Sequence, residues 1–277
     1  MEGKKGGILY VVALPIGNLK DITLRGLEVL READLVLTED TRSFKKLERA
    51  YGLPKKELIS FYKEVETEKE ENILGLLKEG SRIALCSEAG TPLLSDPGAR
   101  LVKRAHLEGI QVEPIPGASA LTASLSVSGL NLSKGFIFLG FLPRKEGEIK
   151  ERLKGLPEDM PLVLFVPPHR FSKTLQILLK ILGDRRVFLA REITKFHQEL
   201  TFSTLSELSR REDLKGEITL IIEGREEETS PQEPDWRLEV QTLLRKGLKI
   251  KEISRLLSKK YGRPAKEVYR LIRDIKG

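Results

Sequence analysis

The sequence predicts an α/β protein: two α/β domains with a ligand cleft between them, followed by a small helical domain. Three observations carry this. Apolar, β-rich runs alternate with helical periodicity up to about residue 224. Loops rich in Gly and Pro recur directly after strands. The charge changes near residue 235: Asp235 to Gly277 holds 13 Lys/Arg against 5 Asp/Glu, a balance of +8, whereas residues 1–234 hold 35 against 36.

The elements follow in order. "ILYVVAL" reads as a strand, "DITLRGLEVLREA" as a helix capped by Asp21 or Thr23, "DLVLTED" as a strand, and "RSFKKLERAYG" as a helix closed by Gly52. The alternation continues through "LISFY", a Glu-rich helix over 66–79, "RIALCSE", a helix from Gly98 to Glu108, and "IQVEPIP". Such βαβα order predicts a mostly parallel sheet with helices on both faces. After the helix "ASALTASLSVSG" the pattern restarts with "FIFLGFLP", "LVLFVP", "RVFLARE", "QELTFS" and "EITLIIEG". This divides the chain into domains at 1–120, 121–225 and 235–277, with the first link within 118–134 and a polar linker "REEETSPQEP" at 225–234.

The tail reads as three helices, 236–246, 249–261 and 264–275, separated by Gly247 and the "YGRP" turn. Pro264 suits a first helical turn, and Lys266, Arg270 and Arg273 follow on the last helix. Two readings stay open: a helix-turn-helix that meets nucleic-acid phosphate, or a helical cap with a solvated basic face.

Composition excludes several classes. No run approaches the roughly 18 apolar residues of a membrane span, and "MEGKKGG" leads into no signal-type block, so a cytoplasmic location without membrane contact is expected. Cys86 is alone and the three histidines are scattered, which predicts neither a disulfide nor a metal site.

Glycine and proline cluster in "LPIGN", "SEAGTP", "PIPGASA" and "FVPPHR", each at a strand end. In an open α/β sheet such loops lie together beyond the carboxyl ends of the strands, and their backbone can line a slot for a small molecule. The phosphate-loop pattern GxxxxGK[ST], the dinucleotide pattern GxGxxG and the nucleophile elbow GxSxG are all missing. Spacing alone therefore leaves the ligand unnamed.

Taken in order, "PIGNLKDITLRGLEVL", "EDTR", "SEAGTPLLSDPG", "PIPGASA", "GFLPRK", "AREITK" and "KGEITLIIEG" resemble the motifs of the tetrapyrrole methylase superfamily, and within it those of its 16S ribosomal RNA methyltransferases. The likeness is collinear from about Leu9 to Gly224, and the tail resembles a helical domain found on many members. It implies a tetrapyrrole methylase-like fold, S-adenosylmethionine as cofactor, and a homodimer. It also implies methylation of the ribose 2′-oxygen of a decoding-centre cytidine in 16S rRNA of the small ribosomal subunit.

Carried over by motif, the cofactor loops are Pro15, Gly17 and Asn18; Glu88, Ala89, Gly90, Thr91 and Pro92; Ser119 and Ala120; Phe165 and Val166; and Glu217, Ile218 and Thr219. Two departures stand out. Glu88 replaces the superfamily's usual Asp, one methylene longer, and "FVPPHR" lacks the usual Tyr and carboxylate while keeping His169 and Arg170.

Methyl transfer to a hydroxyl needs alignment and a proton acceptor. Glu39, Asp40 and Arg42 in "TEDTR" are candidates for this chemistry, with helix capping by Asp40 or Thr41 as the competing account. His169, Arg170, Glu192 and Lys195, with Lys266, Arg270 and Arg273 of the tail, are candidates for contact with RNA. The alternatives are a tetrapyrrole-precursor methyltransferase using the same cleft, and a ligand-sensing regulator whose tail reads nucleic acid.

Overall fold

The computed structural model describes residues 6–212, 214–225, 236–262 and 264–276, and these form two compact units, Met1–Arg225 and Glu226–Gly277. The expected boundary at residue 120 falls inside the first unit, at the start of a helix. Residues 226–234 of the expected linker lie outside the described residues.

The first half of the larger unit is built on β1 (Ile8–Val12), β2 (Leu35–Thr38), β3 (Glu57–Ser60), β4 (Arg82–Cys86) and β5 (Gln111–Ile115). All are parallel, in the order β3-β2-β4-β1-β5. Alternation along the strands assigns side chains to two cores. Leu9, Leu35, Leu37, Ile83 and Leu85 pack on one face with Ile73, Leu74 and Leu77 of α3 (Glu66–Lys78) and Leu101 and Ala105 of α4 (Ala99–Leu107). Tyr10, Val12, Val36, Ala84 and Cys86 pack on the other with Val29 and Leu30 of α1 (Leu24–Glu32) and Phe44 of α2 (Thr41–Tyr51). Both faces are covered at the centre of the sheet, so β1, β2 and β4 read as near-continuous apolar runs, whereas the edge strands β3 and β5 carry Glu57, Gln111 and Glu113.

Helix ends follow local chemistry. Of the two candidate caps for α1 it is Thr23 whose hydroxyl accepts from the Gly26 amide, at 3.0 Å. At the end of α2 Gly52 takes a left-handed conformation, φ 60°, as a closing glycine does.

After α5 (Ala120–Val127) a second sheet forms from β6 (Ile137–Phe141), β7 (Leu162–Phe165), β8 (Arg186–Arg191), β9 (Glu199–Thr204) and β10 (Ile218–Ile222), in the order β6-β7-β10-β8-β9. Only β6 and β7 run parallel; β10 lies antiparallel between β7 and β8, and β9 is antiparallel to β8. One face packs on α6 (Glu146–Leu153), α7 (Phe171–Leu182) and α8 (Leu205–Leu208). On the other, Val163, Phe188, Ala190 and Ile221 meet Leu121 and Leu125 of α5, with Leu94 from the loop after β4 joining them. That contact brings loops of the first sheet over the second.

The smaller unit is three helices, α9 (Trp236–Arg245), α10 (Ile250–Tyr261) and α11 (Ala265–Lys276), around Val240, Ile253, Leu257, Val268 and Ile272. Glu252 accepts from the Lys249 amide at 2.8 Å to start α10, and Gly262 ends it at φ 69°. Among the described residues no helix is long and apolar enough to cross a membrane.

Candidate functional site

Three loops leave the carboxyl ends of β1, β4 and β5 and are bonded to one another. Leu14 and Gly90 pair through both backbone groups, and the Thr91 hydroxyl donates to the Ala118 carbonyl at 3.1 Å. Gly90 is the tight point. Its φ is +76°, and a Cβ there would sit 3.1 Å from the Ile16 methyl and 3.7 Å from the Ala118 oxygen. A side chain there is strained by the backbone conformation and pressed against Ile16.

These loops form one wall of a cavity of about 350 Å³, and the ends of β6, β7 and β8 with the start of β10 form the other. The volume falls within the range of roughly 300–1,000 Å³ typical of small-molecule sites. Ala89, Gly90, Thr91, Ser119, Ala120, Phe165, Val166, Glu217, Ile218 and Thr219 line it, so ten of the expected cofactor residues converge from four separate motifs. Ile16, Leu94, Phe141, Ala190 and Ile193 add apolar wall, and Phe141 and Phe165 pack with ring centroids 5.5 Å apart.

The remaining expected cofactor residues lie outside the wall, each for a local reason. Pro15 and Pro92 are buried in the loops behind it. The Asn18 side-chain Oδ1 caps a 3₁₀ turn by accepting from the Lys20 amide at 3.1 Å. Gly17, at φ 149°, lies against the Lys195 side chain, which occupies the space a Cβ would need. Glu88 turns to solvent and accepts from the Ser43 hydroxyl at 3.4 Å.

Asp40 and Arg42 are likewise absent from the cavity lining. Asp40 caps α2, accepting from the Arg42 amide at 2.7 Å, and the Arg42 side chain is 88% exposed beside it. The guanidinium hydrogen bond holds the Asp40 carboxyl below its usual range. Glu39 is half-buried and has its acidity weakened, first by burial, with the neighbouring Glu88 charge adding to the effect.

Two carboxylates line the cavity: Glu217, which is paired with Lys195, and Asp96, within "SDPG". Burial pushes it up to about 6, reinforced by Glu39 and, further down, Glu88. The resemblance covered this motif without assigning the residue. The available signal was an acidic side chain in a strand-end loop, and nothing local distinguishes it from a turn residue.

Backbone strain gathers at the same place. Among the described residues, the non-glycine positions with positive φ are Leu93 (73°), Ser95 (82°), Glu192 (50°) and Thr194 (65°), in the two loops that carry Leu94, Asp96 and Ile193 into the cavity. Such residues persist where surrounding contacts over-determine them. Glu192 and Lys195 supply those contacts: Lys195 donates to Glu192 at 2.8 Å and to Glu217 at 2.9 Å, and Glu192 accepts from the Glu217 amide at 2.8 Å. Burial opposes the Lys195 charge, but the two carboxylates outweigh it and raise its pKa. The pair expected to face RNA is thus spent on bracing the loop. Arg170 is also turned inward, donating to the Leu142 and Pro143 carbonyls at 3.0 and 3.4 Å, whereas His169 is exposed beside the cavity rim. Lys266, Arg270 and Arg273 lie exposed on α11 in the smaller unit. No group of His, Cys, Asp and Glu among the described residues is arranged to hold a metal.

Residues 8–209 match the model of the tetrapyrrole (corrin/porphyrin) methylases. The chain is 48% identical to a ribosomal RNA small subunit methyltransferase I of Thermotoga maritima, over 79% of this chain and 100% of that protein. It is 39% identical to the protein of that name from Halalkalibacterium halodurans, over 96% of this chain and 94% of the relative. In fold it is similar to a crystal structure of uroporphyrin-III C-methyltransferase from Thermus thermophilus complexed with S-adenosylhomocysteine, with a TM-score of 0.56 at 19% identity, covering 78% of this chain and 97% of that one.

Proposed function

The chain belongs to the tetrapyrrole methylase family, and from that premise we propose that it methylates the ribose 2′-oxygen of a decoding-centre cytidine in 16S rRNA, acting on the small ribosomal subunit as a cytoplasmic homodimer. It is an S-adenosylmethionine-dependent methyltransferase. The residues of the cavity suit that cofactor. The Gly90 cradle admits backbone approach, Phe165, Val166 and Ile218 offer apolar surface, and the Ser119 and Thr219 hydroxyls are buried among them. When bound, S-adenosylmethionine supplies a methyl group already activated by its sulfonium, with a neutral thioether as leaving group.

What remains for the protein is to orient the acceptor oxygen, exclude water and take a proton. The observation that carries the 2′-oxygen reading is Asp96. A ribose hydroxyl loses its proton as the new bond forms, and a cavity carboxyl whose pKa is about 6 is ionised at neutral pH yet basic enough to accept it. Glu39 behind it keeps Asp96 from being a weaker base, and Phe141, 53% exposed in the wall, offers a ring on which a splayed base can stack.

The test is incubation of the protein with radiolabelled S-adenosylmethionine and undermethylated small subunits, followed by nuclease digestion. Label on the ribose of one decoding-centre cytidine is expected. Label on a base, or in an added tetrapyrrole precursor instead of RNA, would overturn the reading, and light scattering of the active protein checks the dimer.

A further inference from the structure

A furrow leads away from the cavity rim on the side of the second sheet. A broad groove shares Pro168 and Gly216 with the cavity and runs past His169 to Lys173 and Gln176 on α7, with Lys215 on its opposite bank. At Lys173 and Gln176 it continues into a second groove that Arg144 and Lys145 close from the other side and Lys180 ends. On α7 the positions 173, 176 and 180 follow helical spacing on the outer face, opposite the buried Leu175 and Leu178.

The charges of the furrow divide by what they are already bonded to. Arg211 is committed to Glu199, and Arg170 to backbone carbonyls. Lys145 and Lys180 make long, exposed pairs with Glu148 and Glu146 at 3.5 and 3.6 Å. Arg144, Lys173 and Lys215 are exposed and make no ion pair among the described residues. Glu212 is an exposed carboxylate of the first groove, and against it three unspent cations stand along a furrow that opens at the cavity rim.

We propose that this furrow carries the RNA strand flanking the target nucleotide, with Arg144, Lys173 and Lys215 each neutralising a backbone phosphate. This rests on the reading of the chain as an rRNA methyltransferase. A nucleotide whose ribose enters the cavity leaves its neighbouring phosphates at the rim, and the furrow is where the positive charge continues. Phe171 is buried, which leaves the exposed His169 imidazole at the rim end as the furrow's one ring open to a base. Beyond His169 the furrow therefore grips backbone, positioning the strand and leaving base choice to the cavity end.

The test uses the full chain with Arg144→Ala, Lys173→Ala and Lys215→Ala combined, and small subunits as probe. Each lost phosphate contact removes about 0.7 from the slope of log affinity against log salt, so the slope should fall by about 2. KM for subunits should rise while S-adenosylmethionine affinity and melting temperature hold, and Lys173→Arg alone should retain the slope. If the triple variant melts early, the single Lys173→Ala carries the test, with an expected loss of about 0.7. An unchanged slope and KM in a folded variant would overturn the proposal. Failure of the unaltered protein to methylate rRNA would instead overturn the functional reading, and the two outcomes are separate.

Discussion

Leu14 and Gly90 exchange both backbone hydrogen bonds, the Leu14 amide reaching the Gly90 carbonyl at 2.9 Å and the Gly90 amide the Leu14 carbonyl at 3.0 Å. This pair stitches the loop after β1 to the loop after β4, and with Thr91 bonded to Ala118 it makes one continuous wall out of three loops.

Gly90→Val should therefore abolish detectable S-adenosylmethionine binding. A β-branched side chain at φ +76° costs about 1–3 kcal/mol in backbone strain and pushes into Ile16. Titration calorimetry with a parallel melting curve checks this, and full affinity in a folded variant would remove the loop from the site.

If Asp96 accepts the proton it does so in its ionised form, which makes a pH dependence with a definite sign. The log of kcat/KM should rise with pH up to about 6 and level off above it, because the protonated carboxyl accepts nothing. Asp96→Asn should lose about 10²-fold or more in rate, lose that acid limb, and keep cofactor affinity. A variant with wild-type rate and profile would assign the proton elsewhere.

The Asp40 carboxyl stabilises the start of α2 and is held below its usual pKa by Arg42. Its contribution is present above the ordinary carboxylate pKa and is lost as pH falls through the lowered folded value. Asp40→Ala should lower the melting temperature by a few degrees at neutral pH, and Asp40→Asn should restore the capping part of that loss but not the part that depends on charge beside Arg42. Loss of activity in Asp40→Asn without any change in melting would return this residue to the chemistry.

Removal of residues 226–277 should leave the larger unit folded and its cofactor affinity unchanged, because every residue lining the cavity belongs to that unit. If Lys266, Arg270 and Arg273 each meet a phosphate, the salt slope of RNA affinity should fall by about 2 to 3. Aggregation, or a lower melting temperature with the slope intact, would show that the helices serve folding or assembly.

What the sequence determined by itself is what short-range periodicity encodes. The five strands of the first sheet, their intervening helices and the three helices of the tail each repeat an apolar spacing within a few residues, and Gly52 and Thr23 mark helix ends through their own backbone and hydroxyl chemistry. The motif series also reached the cavity, because strand-end loops of a parallel sheet meet wherever the strands are adjacent. The tertiary structure decided the rest. The antiparallel placement of β10 between β7 and β8 depends on which edges remain free, not on the composition of "ITLII". Lys195 and Glu192 read as exposed charges until folding brings Glu217 and Gly17 against them. Asp96 reaches the cavity with a raised pKa because Leu93 and Ser95 turn its loop through left-handed conformations, folding buries it, and Glu39, 57 positions earlier in the chain, comes near it. Burial and charge act through space, so a residue's protonation is set by neighbours that no local pattern contains.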